Sequence, residues 1–500
     1  MSTASGAAIG IWRARNVRTV GDRWFLVYLV HMVALVTVAP LARAVWLSAT
    51  SAEGLALLAS PAAPEVTMLV VAGLWAGGLV LGRDRGPALH PPFLTHALAA
   101  SDLPRSDTFR GPLLRAGVRV TATTTLVAGL VAGSLMSHGL ADPFSAASFT
   151  AVGALVGVLA TVTWLAGQAF PRAAVPVAVG VLGLGATIAA IPAAQPFTPW
   201  GWVGLAYPAS SASHTPVALV ALAALTASLV AAVPMLMNRL GLTALAAQAA
   251  RWDSATALAM GMDFDTAAAL YRGRAHTGRR ALAVRPRNRL AWTFLIRDAI
   301  GATRTPGRLI VGVVALAASG VLITLAFAPA APGWLLGAAA GLMVFAGIGP
   351  LTDGIRHAAS VAGDFPLYGI SDERLLANHA LFPLAAVVLV LLAAVMVCSI
   401  LTGTAAAAPL VSAFVLGLLA LFARVDNALK GPLPPALLTP IPTPMGDLGA
   451  AARIAWALDG ILLAALAGAS AALAFEAPLL LLGVAVTFIA VGINRWRHRG

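Results

Sequence analysis

About a dozen apolar stretches, each long enough to cross a bilayer, alternate along this chain with polar segments, and arginine is confined almost entirely to every second polar segment. Hydrocarbon offers a backbone amide or carbonyl no partner, so a crossing segment must close its own hydrogen bonds as a helix. The pattern predicts an all-α integral membrane protein with about 12 transmembrane helices, at 24–42, 64–82, 119–137, 146–168, 173–193, 215–237, 308–328, 333–352, 380–402, 406–423, 451–473 and 477–494. Composition excludes a water-soluble alternative. With 59% hydrophobic and 10% charged residues among 500, the chain cannot cover itself with polar surface.

Charge sets the expected orientation. The formal charge of +13 comes from arginine, because Lys430 is the only lysine, and arginine beside apolar spans faces anionic lipid rather than nucleic acid. With the N-terminus in the cytoplasm, the inner segments collect Arg83, Arg85, Arg105, Arg110, Arg115, Arg172, Arg356, Arg374, Arg424, Lys430, the basic stretch from Arg239 to Arg304, and Arg495, Arg497 and Arg499. The outer side keeps Arg43 against Glu53, Glu65, Asp142 and Glu476. Both ends are therefore expected in the cytoplasm. Ala42-Arg43-Ala44 imitates a signal-peptidase site, but the basic segment before the first span is long for a signal and no cleavage is expected. Cys398 lies inside an apolar run and reads as a small buried hydrophobe.

The chain reads as a duplication: a first six-helix half over 1–240, a basic cytoplasmic linker over 241–288 and a second six-helix half over 289–500. Each half opens with a basic amphipathic segment expected to lie in the interface, with Arg13, Arg18 and Arg23 in the first and Arg297, Arg304 and Arg308 in the second. Two spans later each half has a long inner loop with similar text. One contains His96, Asp102, Leu103, Pro104, Ser106 and Asp107; the other contains His357, Asp364, Phe365, Pro366, Ser371 and Asp372. Asp or Ser ahead of such segments is helix-start chemistry, so a short helix is expected in each loop. Because six is even, the repeats are parallel. The outer loop at 195–214, with Trp200, Trp202 and Tyr207 among prolines, suits either an interfacial aromatic belt or an outer gate. Glycine pairs at Gly73 and Gly77, and at Gly337 and Gly341, permit close helix contact.

This order of parts resembles the transmembrane permease subunit of bacterial ABC-2-type exporters, here with two six-helix halves fused in one chain. The order is an elbow helix, two spans, an inner loop helix, then four spans with an aromatic outer loop before the sixth. The resemblance implies a plasma-membrane location. It also implies that the loops around Asp102 to Asp107 and Asp364 to Asp372 are coupling contacts for ABC ATPase subunits, in two copies, which carry the ATP and magnesium. The proline-rich stretch from Pro432 to Pro444 and the very short loop before the last span depart from the pattern.

No phosphate-cradling loop occurs: the only lysine stands in Ala428-Leu429-Lys430-Gly431, so no ATPase chemistry, no cofactor and no enzyme activity is expected of this chain. Neither zinc-ligand spacing nor Gly-x-Ser-x-Gly is found. Ionisable groups within spans are few; His31 and Asp459 are the candidates, and Asp459 is expected to pair with nearby Arg453. Two alternatives stay open. One is a major-facilitator-type secondary transporter, whose loop signature is echoed incompletely by Gly82-Arg83-Asp84-Arg85-Gly86 and Gly349-Pro350-Leu351-Thr352-Asp353; the other is a non-transporting scaffold or lipid-handling membrane enzyme.

Overall fold

A computed structural model describes residues 3–15, 19–189, 191–209, 215–272, 289–328, 331–362, 369–431, 433–434, 437, 439, 441–443 and 446–498. The described residues are helical throughout, apart from connections and one two-residue antiparallel pair, Pro442–Thr443 with Gly446–Asp447. The chain forms two compact units, 1–257 and 258–500.

The first unit contains α1 (Thr3–Arg15), α2 (Val20–Val33), α3 (Ala39–Ala49), α4 (Ala52–Leu58), α5 (Ala63–Asp84), α6 (Pro92–Ala99), α7 (Arg105–Thr108), α8 (Arg110–Ser137), α9 (Pro143–Ala169), α10 (Ala174–Ala189), α11 (Pro199–Leu205), α12 (Thr215–Ala231) and α13 (Val233–Asn238). Most of α14 (Leu242–Met260) also belongs to it. In the second unit are α15 (Phe264–Ala269), α16 (Leu290–Thr303), α17 (Pro306–Leu325), α18 (Gly333–Ile348), α19 (Asp353–Val361), α20 (Asp372–Thr402), α21 (Ala407–Ala428), α22 (Leu448–Ala472) and α23 (Pro478–Arg497).

Ten helical runs among the described residues are long and apolar enough to cross a membrane, consistent with a multi-span membrane protein. They fall on ten of the twelve expected spans. The other two take different forms. From Val20 to Ala49 the chain is helical, but α2 and α3 are separated by a π turn at Ala34–Val38. Pro40, the second residue of α3, has no amide to offer the preceding turn, and that turn widens. At 173–193, α10 has only 16 residues, or about 24 Å of helix against roughly 30 Å of hydrocarbon. The chain then tightens into a 3-10 turn at Pro192–Phe197 and starts α11.

Helix contacts are made close by missing side chains. Gly341 and Gly337 of α18 face Ala464 and Gly468 of α22 so tightly that a Cβ on either would fall on backbone oxygen across the seam. Gly82 of α5 meets Trp164 and Gly167 of α9 in the same way. The pair Gly73 and Gly77 does not, since a Cβ on either would meet nothing within 4 Å. Gly403 ends α20 with φ +68°, a left-handed conformation that lets its amide and that of Thr404 return to Ser399 O.

Candidate functional site

In the first unit the loop between α5 and α8 is short of regular structure but densely anchored. Pro92 opens α6, where a missing amide costs nothing. Its inner face is Leu94, Thr95, Leu98 and Ala99, buried in a cluster with Phe109, Leu165, Met237 and Leu245, against which Ile9 and Trp12 of α1 also pack. His90 fixes the loop's two ends. Its Nε2 lies 3.0 Å from Thr108 O, while the Thr95 hydroxyl donates to His90 O (2.6 Å) and accepts from His90 N (3.1 Å). The outer face carries Phe93, 74% exposed, and His96.

Of the residues expected to couple in this loop, Asp102, Pro104 and Asp107 are exposed, and Leu103 and Ser106 are partly buried. Pro104 caps the single turn α7. That turn is tied to the end of α13: Ser106 N donates to Asn238 Oδ1 (3.2 Å), and the Arg105 guanidinium donates to Leu240 O. A cation on the carbonyls that end a helix also complements its dipole. The loop does hold a short helix, but α6 runs from Pro92 to Ala99 and ends before Asp102, because proline and not aspartate opens it; Asp102 starts no helix.

Behind α7 lies a cavity of about 1080 Å³ between α8, α9, α12 and α13. Ser106, Asp107 and Arg110 form its polar edge, and the remaining wall is apolar apart from a few threonines. The hydroxyl of Thr125 donates to Thr121 O (2.7 Å) and that of Thr161 to Gly157 O (2.9 Å), so these threonines spend their donors on their own helices. Such a site suits a molecule with an apolar body and a polar end.

In the second unit the matching loop carries α19, which buries Ile355 and Ala358 and exposes Asp353, His357 and Ser360. Asp364, Phe365 and Pro366 lie outside the described residues. Ser371 stands at the N-cap position of α20 without a side-chain cap bond, and Asp372 is its first residue. The basic residues expected in the second elbow are pinned to this region rather than left to lipid. Arg308 pairs with Asp353 (3.0 Å), which also takes Arg356 (2.7 Å). Arg297 Nη1 meets His379 Nε2 at 3.2 Å, and Asp298 Oδ2 meets His379 Nδ1 at 2.6 Å, with the His379 side chain wholly buried. Arg304 is the residue that ends α16. In the first unit Arg13 and Arg23 fall in α1 and α2, their side chains outside the description, and Arg18 lies outside the described residues altogether.

The aromatic loop folds into a corner. Trp200 and Tyr207 are buried against α5 and α9; Tyr207 Oη donates to Leu58 O (2.8 Å), and its ring meets Phe149 edge-on at 5.3 Å. Burial pushes the Tyr207 phenol up to about 12, so it stays a donor at any physiological pH. Trp202 is partly exposed and donates to Pro196 O (2.6 Å).

Asp459 pairs with Lys430 (2.8 Å) and with Arg495, whereas Arg453 donates to Leu437 O (2.9 Å), so the pairing expected from proximity in sequence is replaced by one that joins α22 to α23 and to the segment just after α21. Sequence reasoning also missed two buried histidines, His90 and His379. Nothing in their local text separates them from the exposed His96 and His357.

No protein-family model, no curated protein and no solved structure matches this chain.

Proposed function

We propose that this chain is the membrane-spanning part of an ATP-driven exporter of the ABC-2 type, moving a hydrophobic or amphipathic substrate with energy from separately encoded ATPase subunits. The observation that carries the reading is the build of the two inner loops. Each holds a short helix with one face sunk into its own unit and the other exposed: Leu94 and Leu98 inward with Phe93 and His96 outward on α6, and Ile355 and Ala358 inward with His357 and Asp353, the latter in its pairs with Arg308 and Arg356, outward on α19. A helix so held moves with its unit, which is what a contact that transmits force needs. The cavity edged by Asp107 and Arg110 lies behind α7, in the same inner loop as α6. The arginine bias favours the cytoplasm of a bacterial cell for these loops and for both termini.

The test combines sidedness with capture. With Cys398 replaced by alanine, a cysteine placed at Asp102 should react with a membrane-impermeant maleimide in inside-out vesicles and not in intact cells. Affinity purification of the chain should recover a Walker-motif ATPase, and Phe93→Asp combined with Asp107→Arg should reduce that recovery by about tenfold or more, the loss of a central contact at an interface. Labelling from the cell exterior, or undiminished recovery with the double variant, would sink the coupling role of this loop. Transport by the purified chain alone under an ion gradient would favour the facilitator reading instead.

A further inference from the structure

A second pocket of the first unit, on the other flank of α8, is of the opposite character to the apolar cavity. It has a volume of about 510 Å³ and is walled by Arg85, Arg115, Arg119, Trp164, Trp252 and Asp253, with His90, Thr256, prolines and aliphatic residues completing the lining. Three guanidinium groups face one carboxylate there. Arg115 and Arg119 stand one turn apart on α8, so both reach the same side. Neither has a carboxylate partner among the described residues; Arg115 spends only Nε, on Gly111 O at 3.4 Å of its own helix. Arg85 is held flat, its guanidinium carbon 3.2 Å above the Trp252 ring, and its carbonyl takes the Trp164 indole N–H at 2.6 Å. A fixed guanidinium beside two exposed ones is a preorganised receptor for a tetrahedral oxyanion, which accepts several charge-assisted hydrogen bonds at once.

The length of α8 indicates where this receptor sits. Its 28 residues make about 42 Å of helix, roughly 12 Å more than the hydrocarbon needs. The surplus falls at the Arg110 end, where Arg110, Arg115 and Arg119 interrupt an otherwise uncharged helix. That end belongs at headgroup depth, where long arginine side chains keep their charge in the polar layer.

We propose that this pocket binds the phosphate of an anionic phospholipid headgroup, holding a lipid beside α8 on the side of the membrane where the arginines lie. The site does not depend on the exporter reading, because its ligand need not be the cargo and no ATPase takes part.

The test uses the full chain in neutral detergent, with thermal unfolding followed as phosphatidylglycerol, phosphatidylcholine or inorganic phosphate is added. The expected result is saturable stabilisation by phosphatidylglycerol. The apparent affinity should fall about tenfold or more in Arg115→Gln/Arg119→Gln, each lost charge-assisted contact being worth a factor of about ten. Arg172→Gln/Arg374→Gln, which removes the same charge from exposed positions elsewhere, should leave it unchanged. Equal affinity in the wild type and the pocket variant, or equal losses in both double variants, overturns the site. If inorganic phosphate alone gives the same arginine-dependent shift, the lipid is overturned and the ligand is a free phosphate. A pocket variant that fails to fold is replaced by Arg115→Lys/Arg119→Lys, which keeps the charge but loses the forked donors and should weaken the lipid effect partially; an unchanged lipid effect in that variant would count against guanidinium recognition.

Discussion

Trp200 and Tyr207 are both buried at the corner before the last span of the first unit, yet only one of their polar atoms has a partner. Tyr207 Oη donates to Leu58 O, while Trp200 Nε1 is buried with no partner among the described residues. A buried hydrogen bond is worth about 1 kcal/mol net, and an orphaned donor costs about 1–3 kcal/mol. Tyr207→Phe should therefore lower stability by about 1 kcal/mol, and Trp200→Phe should cost less, because the lost ring volume is offset by relief of the orphan; unfolding in detergent measures both. A larger loss for Trp200→Phe would mean that the indole N–H has a partner in the membrane, as an outer gate residue would. Sequence reading located these rings but could not tell which would be buried, since that depends on α11 folding back against α5. Histidine was harder still. His96 and His357 stood out by their repeated context and are exposed, while His90 and His379, which fasten the loops, acquire their partners Thr108 and Asp298 only through the fold.

At the scale of the element, span positions were legible because hydrophobic length alone decides them, and ten of the expected twelve lie on long apolar helices. What length could not convey was a proline-widened turn at Ala34–Val38 or the shortness of α10, both local accidents inside apolar text. Glycine meaning was equally hidden. Gly337 and Gly341 seat α22, whereas Gly73 and Gly77 face open space, though both pairs have the same spacing. The two should respond oppositely to added atoms. Gly341→Leu is expected to lose at least the 1–3 kcal/mol of overpacking, seen as a lower unfolding temperature and less monodisperse protein on extraction. Gly73→Ala should gain about 0.5–1 kcal/mol from helix propensity. A stable Gly341→Leu protein would show that the α18–α22 seam can open.

For the whole molecule, the repeated loop text led us to expect two halves, and the chain divides into two compact units at 257/258, inside what read as a linker. The linker's first part was illegible as structure because α14 earns its place through contacts distant in sequence: the Gln248 amide donates to Arg83 O (3.0 Å), and its Oε1 takes the Gln168 amide (2.9 Å). The same distance hid the true partners of Asp459. Because Asp459 and Arg495 are only partly buried, Arg495→Met should cost about 1–3 kcal/mol, and adding Asp459→Asn should recover part of it, a coupling that a double-mutant cycle reads directly. Strict additivity would mean that the pair contributes nothing. Protein synthesis gives this triad an order in time. Lys430 and Asp459 leave the ribosome before Arg495, so the acid must wait in the growing protein with one counter-charge until α23 is threaded. Helix α23, made after both, thus acts as the latch on α21 and α22, Arg495 reaching Asp426 O of one and Asp459 of the other.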